Sequence, residues 1–74
     1  MEFSFDKVAD VLYIHFSNEK INNTEEINSG IIIDYGNKQN IIGIEILNYS
    51  KRNLNLNELI QLSSEEIIPA IIKC

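Results

Sequence analysis

Four side chains carry what chemistry the sequence offers: Tyr13, His15, Asp34 and Glu45. Histidine titrates near neutrality and an adjacent carboxylate fixes its tautomer, so His15 beside Asp34 or Glu45 would form a proton-transfer pair with the Tyr13 hydroxyl at its rim. The set is incomplete for a reaction. No Ser, Thr or Cys stands at an identifiable nucleophile elbow, and one imidazole with two carboxylates falls short of a metal-ligand spacing. Gly30, Gly36 and Gly43 are too far apart to form a phosphate-binding loop, so neither metal nor cofactor is expected. The plainer reading of His15 is an exposed sheet residue in an ordinary polar contact, and of Tyr13 a half-buried packing residue. Asp6 and Asp10 bracket DKVAD, which lacks the alternating oxygens and glycine of a calcium loop, and both read as turn formers.

The elements that would position these side chains are short strands. Period-two patterning with turn punctuation runs through the first half of the chain. Phe3 and Phe5 alternate with polar neighbours; Val11 to Phe16 follows, with Leu12, Ile14 and Phe16 on one side and Val11, Tyr13 and His15 on the other. TEEI makes a polar third strand, and Asn28-Ser29-Gly30 supplies residues that tolerate positive φ. In the fourth strand Ile31, Ile33 and Tyr35 oppose Ile32 and Asp34. The fifth sets Ile42, Ile44 and Ile46 against Gly43, Glu45 and Leu47. Pairing Ile33 with Ile44 and Ile31 with Ile46 keeps the isoleucines together and sets Asp34 across from Gly43 and Ile32 across from Glu45. The turn then falls near Lys38-Gln39. A carboxylate inside a strand disfavours it, so Asp34 calls for compensation, from backbone donors near Gly43 or from a partner's cation.

After Leu47 the pattern changes. Asn48 to Arg52 reads as a helical turn or loop; Leu56, Leu59, Ile60 and Leu62 then recur at helical spacing, with Asn55 or Asn57 as cap. Ser63 and Glu66 have capping-box spacing, but Pro69 arrives where a continuing helix needs a backbone donor, so IIPAIIKC reads equally as an interrupted helix, a broken strand or a partner-binding arm. The expected fold is α+β: a mainly antiparallel meander of about five strands, with a C-terminal helical segment on the Leu12, Ile14, Ile33, Ile44 and Ile46 face.

The bulk properties bound the partners. Seventy-four residues make a single small domain over 1–74, a β core followed by a helical or arm segment from about residue 51. With 11 acidic against 6 scattered basic residues the net charge is −5, which disfavours phosphate backbones and hence nucleic acid. No apolar run approaches the roughly 20 residues of a membrane span and no leader pattern is present, so a cytoplasmic protein is expected. Cys74, the single cysteine, cannot form an internal disulfide and reads as an incidental reduced thiol. So short a chain has a thin core. Val11, Ile32 and Leu47 on the second sheet face, with Ile68, Ile71 and Ile72 in the tail, form an expected interaction surface for a homo-oligomer, a dimer first, or for a small protein partner. The alternative is a monomer whose tail folds back over that face.

The residues FDKVADVLYIHF, TEEINSGIIIDY and IIGIEILNYS in this order resemble the small prokaryotic proteins of domain of unknown function family 2283. The resemblance covers about Phe5 to Ser50, carried by Ala9, Asp10, Leu12, Tyr13, Ile14, Asp34, Tyr35 and Gly43 through Leu47. Phe5 stands where tyrosine is usual, Asn48-Tyr49 replaces Asp-Ala, and GNKQN replaces a hairpin built on Asp and Gly. The resemblance implies a small β-rich domain with no assigned activity. Because such proteins are often encoded beside small toxin-like or ribonuclease-like proteins, it also implies an antitoxin-like or partner-binding role. Two functions follow as expectations: a non-enzymatic protein-interaction module, self-associating or an antitoxin-like binder of a basic partner protein, or a small ligand-binding or hydrolytic domain using Tyr13, His15, Asp34 and Glu45.

Overall fold

A computed structural model describes residues 1–72, so Cys74 lies outside the described residues. Five strands, β1 (Glu2–Asp6), β2 (Val11–His15), β3 (Asn23–Asn28), β4 (Ile31–Tyr35) and β5 (Ile41–Leu47), precede a 3-10 turn (Tyr49–Lys51) and helices α1 (Leu56–Leu59) and α2 (Ser64–Ile72). All pairings are antiparallel, in the order β1-β2-β5-β4-β3. The α+β architecture is the expected one, with one refinement: β2 is followed across the sheet by β5 and not by β3. Hairpin-linked β3, β4 and β5 form one unit whose last strand docks on β2, a Greek-key order read from the C-terminus.

The isoleucine register follows the alternation argument: Ile33 lies opposite Ile44, Ile31 opposite Ile46, Asp34 opposite Gly43 and Ile32 opposite Glu45. A one-residue slip would carry every core isoleucine into water, which is why this pairing wins. The ladder shifts between Asp34 and Tyr35, so that Tyr35 pairs with Ile41. That bulge moves one side chain: Ile41 packs against the core cluster in the place expected for Ile42, and Ile42 is buried outside it. Gln39 takes the positive φ in the β4–β5 turn, and Gly30 takes it between β3 and β4.

Leu12, Ile14, Ile31, Ile33, Ile44 and Ile46 form one dry layer, closed over by Leu59, Ile67 and Ile71 from the helices. Asn55 caps α1, its side chain accepting from the Asn57 N–H at 2.9 Å, but the helix lasts one turn. Only Leu59 of its stripe is buried, while Leu56 and Ile60 face outward. The ambiguity of the tail resolves as helix. The Glu66 carboxylate accepts from the Ser63 N–H at 2.9 Å, the expected capping contact, and α2 runs through Pro69. Pro69 is exposed, and so is Glu65, whose carbonyl would be its bonding partner in a regular helix; water can serve that carbonyl. Asn28 donates to the Ile72 carbonyl at 3.4 Å, tying the end of α2 to the β3–β4 turn.

Candidate functional site

The tail occupies the isoleucine face, so the face of Tyr13, Asp34 and Glu45 is left to its own side chains. Register places them in rows across the sheet: Ser4, Tyr13, Glu45, Ile32 and Glu26 in one, and Glu2, His15, Gly43, Asp34 and Thr24 in the next. Tyr13 leaves its own row. Its hydroxyl crosses β5 above Gly43 and donates to Asp34 Oδ2 at 2.9 Å, while the Thr24 hydroxyl donates to Asp34 Oδ1 at 2.7 Å. Gly43 is what permits this: a Cβ there would collide with the Tyr13 ring and hydroxyl. The strand carboxylate is thus compensated by two side-chain hydroxyls, and not by backbone donors near Gly43.

His15 is not part of that contact. Its Nδ1 lies 3.4 Å from Glu2 Oε1 at the sheet edge, whereas Asp34 stands two strands away, about 9.5 Å by strand spacing. The structure therefore brings together Tyr13, Asp34 and Thr24, with Glu45 directly opposite Tyr13, and sets His15 with Glu2. The rings of Tyr13 and His15 keep a tilted contact with centroids 6.1 Å apart. Burial first, then the hydrogen bond to Asp34 and the charges of Asp34 and Glu45, push the Tyr13 phenol up to about 12 from 10.0. Tyr13 is accordingly a fixed hydrogen-bond donor at neutral pH, a brace and not a base. Among the described residues no group of three His, Cys, Asp or Glu could hold a metal ion.

Glu45 is half-buried at the centre of this face, and no side chain among the described residues pairs with its carboxylate. Ile32 lies directly across from it on β4 and Tyr13 on β2, with Leu47 two residues along its own strand and Val11 across from Leu47; Val11, Ile32 and Leu47 are each half-buried. The tail residues of the expected interaction surface lie elsewhere. Ile71 is 1% exposed, a core residue unavailable to any partner, because its i, i+4 spacing from Ile67 puts both on the inner side of α2. Ile68 packs against the same core, and Ile72 is exposed on the far side of the sheet from Val11, Ile32 and Leu47. The six residues are thus a patch of three on the open face, two residues packed in or against the core, and one exposed at the end of α2.

Two residues proved more than turn formers or loop charges. Asp6 does cap its turn, accepting from Val8 and Ala9 N–H groups at 3.0 Å. Asp10 instead has φ 59 and reaches 40 residues along the chain, accepting from Ser50 N–H at 3.0 Å and Ser50 Oγ at 2.7 Å. Arg52 donates to the carbonyls of Leu47 and Ser29, both at 2.7 Å, locking the β3–β4 turn to the end of β5. The presence of both Asp10 and Ser50 in the family-like segments was the available signal for the first clamp.

A five-stranded antiparallel sheet with one face sealed by a short helical tail and the other open defines a small α+β domain. The family model described as Protein of unknown function (DUF2283) matches residues 2–50, the whole sheet and the turn that Asp10 clamps, and the chain belongs to that family. No curated protein and no solved structure matches it. No helix among the described residues is long and apolar enough to cross a membrane.

Proposed function

We propose that the protein is a non-enzymatic interaction module whose open sheet face binds a basic protein surface. The observation that supports this reading is Glu45: a half-buried carboxylate that no cation among the described residues pairs with, flanked by Ile32, Leu47 and Val11. Apolar side chains around a central acid are what a lysine or arginine with a flanking aliphatic surface would complement. Net charge −5 steers such a partner and opposes self-association through the same face, where Glu45 would approach the acids of a second copy. The alternative of a ligand-binding or hydrolytic site has less support, since Tyr13 braces Asp34 and His15 turns to Glu2.

Solution mass tests the reading. The chain is measured alone and mixed with each basic protein encoded beside its gene. The expected result is a monomer that forms a mixed complex, lost in Glu45→Lys and in Ile32→Lys. A homodimer disrupted by those same substitutions, or a monomer with every neighbour, overturns it.

A further inference from the structure

The two rims of the sheet differ in what their backbones offer. In an antiparallel strand the N–H and C=O of one residue point to the same side, and the side alternates along the chain. The Phe16 N–H donates to the Ile42 carbonyl at 2.8 Å, so Leu12 and Ile14 bond toward β5, and Val11, Tyr13 and His15 bond toward β1. Their partners Asp6, Ser4 and Glu2 complete that ladder, leaving Phe3 and Phe5 with N–H and C=O groups directed outward. At the other rim, the Leu47 N–H donates to Gly30 O at 2.8 Å. By the same alternation Thr24 and Glu26 have their backbone groups outward on β3.

The two rims differ in the features that discourage an added strand. On β3 the outward groups sit among Glu25 and Glu26, and the ladder shifts between Glu26 and Asn28, which breaks the regular spacing a partner strand would need. The β1 rim has unbroken register over all five residues, no proline and no lysine, and at one of its outward-bonding positions Phe5, whose side chain is 47% exposed on the Leu12 face with its ring edge-on to Tyr49. Among the described residues no strand pairs with it.

We propose that the outer rim of β1 is a strand-addition site for an extended segment of a basic partner, with apolar residues opposite Phe3 and Phe5 and lysine or arginine opposite Glu2 and Asp6. The assignment rests on the reading of the partner as basic and adds a docking mode and a second surface to it. Main-chain hydrogen bonds from Phe3 and Phe5 supply affinity and the alternating side chains supply selectivity. A second copy of this chain fits worse. Full antiparallel overlap centred on Ser4 places Glu2 of each copy opposite Asp6 of the other, two like-charge pairs on one side of the new ladder.

The test uses the full chain and a blocked synthetic peptide, Lys-Val-Thr-Val-Lys, against Glu-Val-Thr-Val-Glu, followed by backbone amide NMR. The Phe3 and Phe5 amides are expected to shift and to exchange more slowly, with the lysine peptide favoured by about tenfold, the combined scale of two opposite-charge pairs. Glu2→Lys, at an 82% exposed side chain, is expected to keep the fold and shrink that preference. Shifts confined to Ile32 and Glu45 overturn the β1 assignment while leaving the open-face reading intact. Movement at Phe3 and Phe5 with no mixed complex in the solution-mass experiment does the reverse. Shifts at Thr24 and Glu26, no slowing at saturating peptide, or concentration-dependent slowing without peptide also overturn the assignment.

Discussion

The two faces of one sheet are built from adjacent residues of the same strands, yet they obey different rules. On one, Leu12, Ile14, Ile31, Ile33, Ile44 and Ile46 are all sealed from water, and the side chains differ only in shape. On the other, Tyr13, Ile32, Asp34 and Glu45 are half-buried, and a single hydroxyl bridging two strands sets the arrangement. The sealed face supplies free energy by area; the open face contributes little area but fixes direction, which is what recognition needs. A substitution on the first face should therefore be read as stability and on the second as geometry.

The largest contrast comes from truncating paired neighbours. Ile44→Ala removes a fully buried side chain and should cost about 2–5 kcal/mol, enough to unfold much of so small a domain. Ile32→Ala, half-buried on the opposite face, should cost about 1 kcal/mol. Urea unfolding of both variants checks this, and equal costs would mean that the open face is covered in solution. Gly43→Ala comes next, at about 1–3 kcal/mol, because a Cβ collides with the Tyr13 ring and hydroxyl. Much of that cost should vanish in a Tyr13→Ala background. What persists there measures the closer approach to the Ile14 carbonyl, at 3.1 Å from the added Cβ.

Alternation made the sealed face readable from sequence, because a period of two leaves one register that keeps Ile31, Ile33, Ile44 and Ile46 together. The same logic placed Asp34 opposite Gly43 and Ile32 opposite Glu45. It failed where the ladder is irregular: the bulge beside Asp34 exchanges Ile41 for Ile42 at the core, and no propensity marks it. It also stopped short of contacts between rows. Facing residues follow from register, but Tyr13 reaching diagonally over Gly43, and His15 turning to Glu2, depend on rotamers. The helical tail was ambiguous because Pro69 argues against a helix by local rules, whereas packing of Ile67 and Ile71 decides for one.

Asp10 sharpens the comparison from outside both faces. Its carboxylate holds Ser50, and its φ of 59 favours residues with short polar side chains. Asp10→Ala should cost about 1–2 kcal/mol through lost hydrogen bonds and backbone strain, whereas Asp10→Asn, which tolerates that φ and can still accept from the Ser50 N–H, should cost less. If the two variants unfold at the same urea concentration, the Ser50 contact adds nothing to stability.

The smallest effect isolates the brace. Tyr13→Phe removes one hydroxyl from Asp34 and leaves Thr24 in place, so the expected cost is about 1 kcal/mol or less at a half-exposed site. Its pH dependence is more telling than its size. The folded state holds the Tyr13 phenol at about 12 against 10.0, so the protonated form is the one that folding stabilises. Its contribution is complete below pH 10 and declines as pH rises toward 12. The wild-type and Tyr13→Phe proteins should converge in stability over that interval, as read by urea unfolding alongside tyrosinate absorbance. Asp34→Asn should lower the Tyr13 ionisation without restoring it to 10.0, since burial, the largest cause, is left in place. A Tyr13 titration indifferent to Asp34→Asn would mean that the hydroxyl does not engage Asp34 in solution, and the open face would lose the contact that orders it.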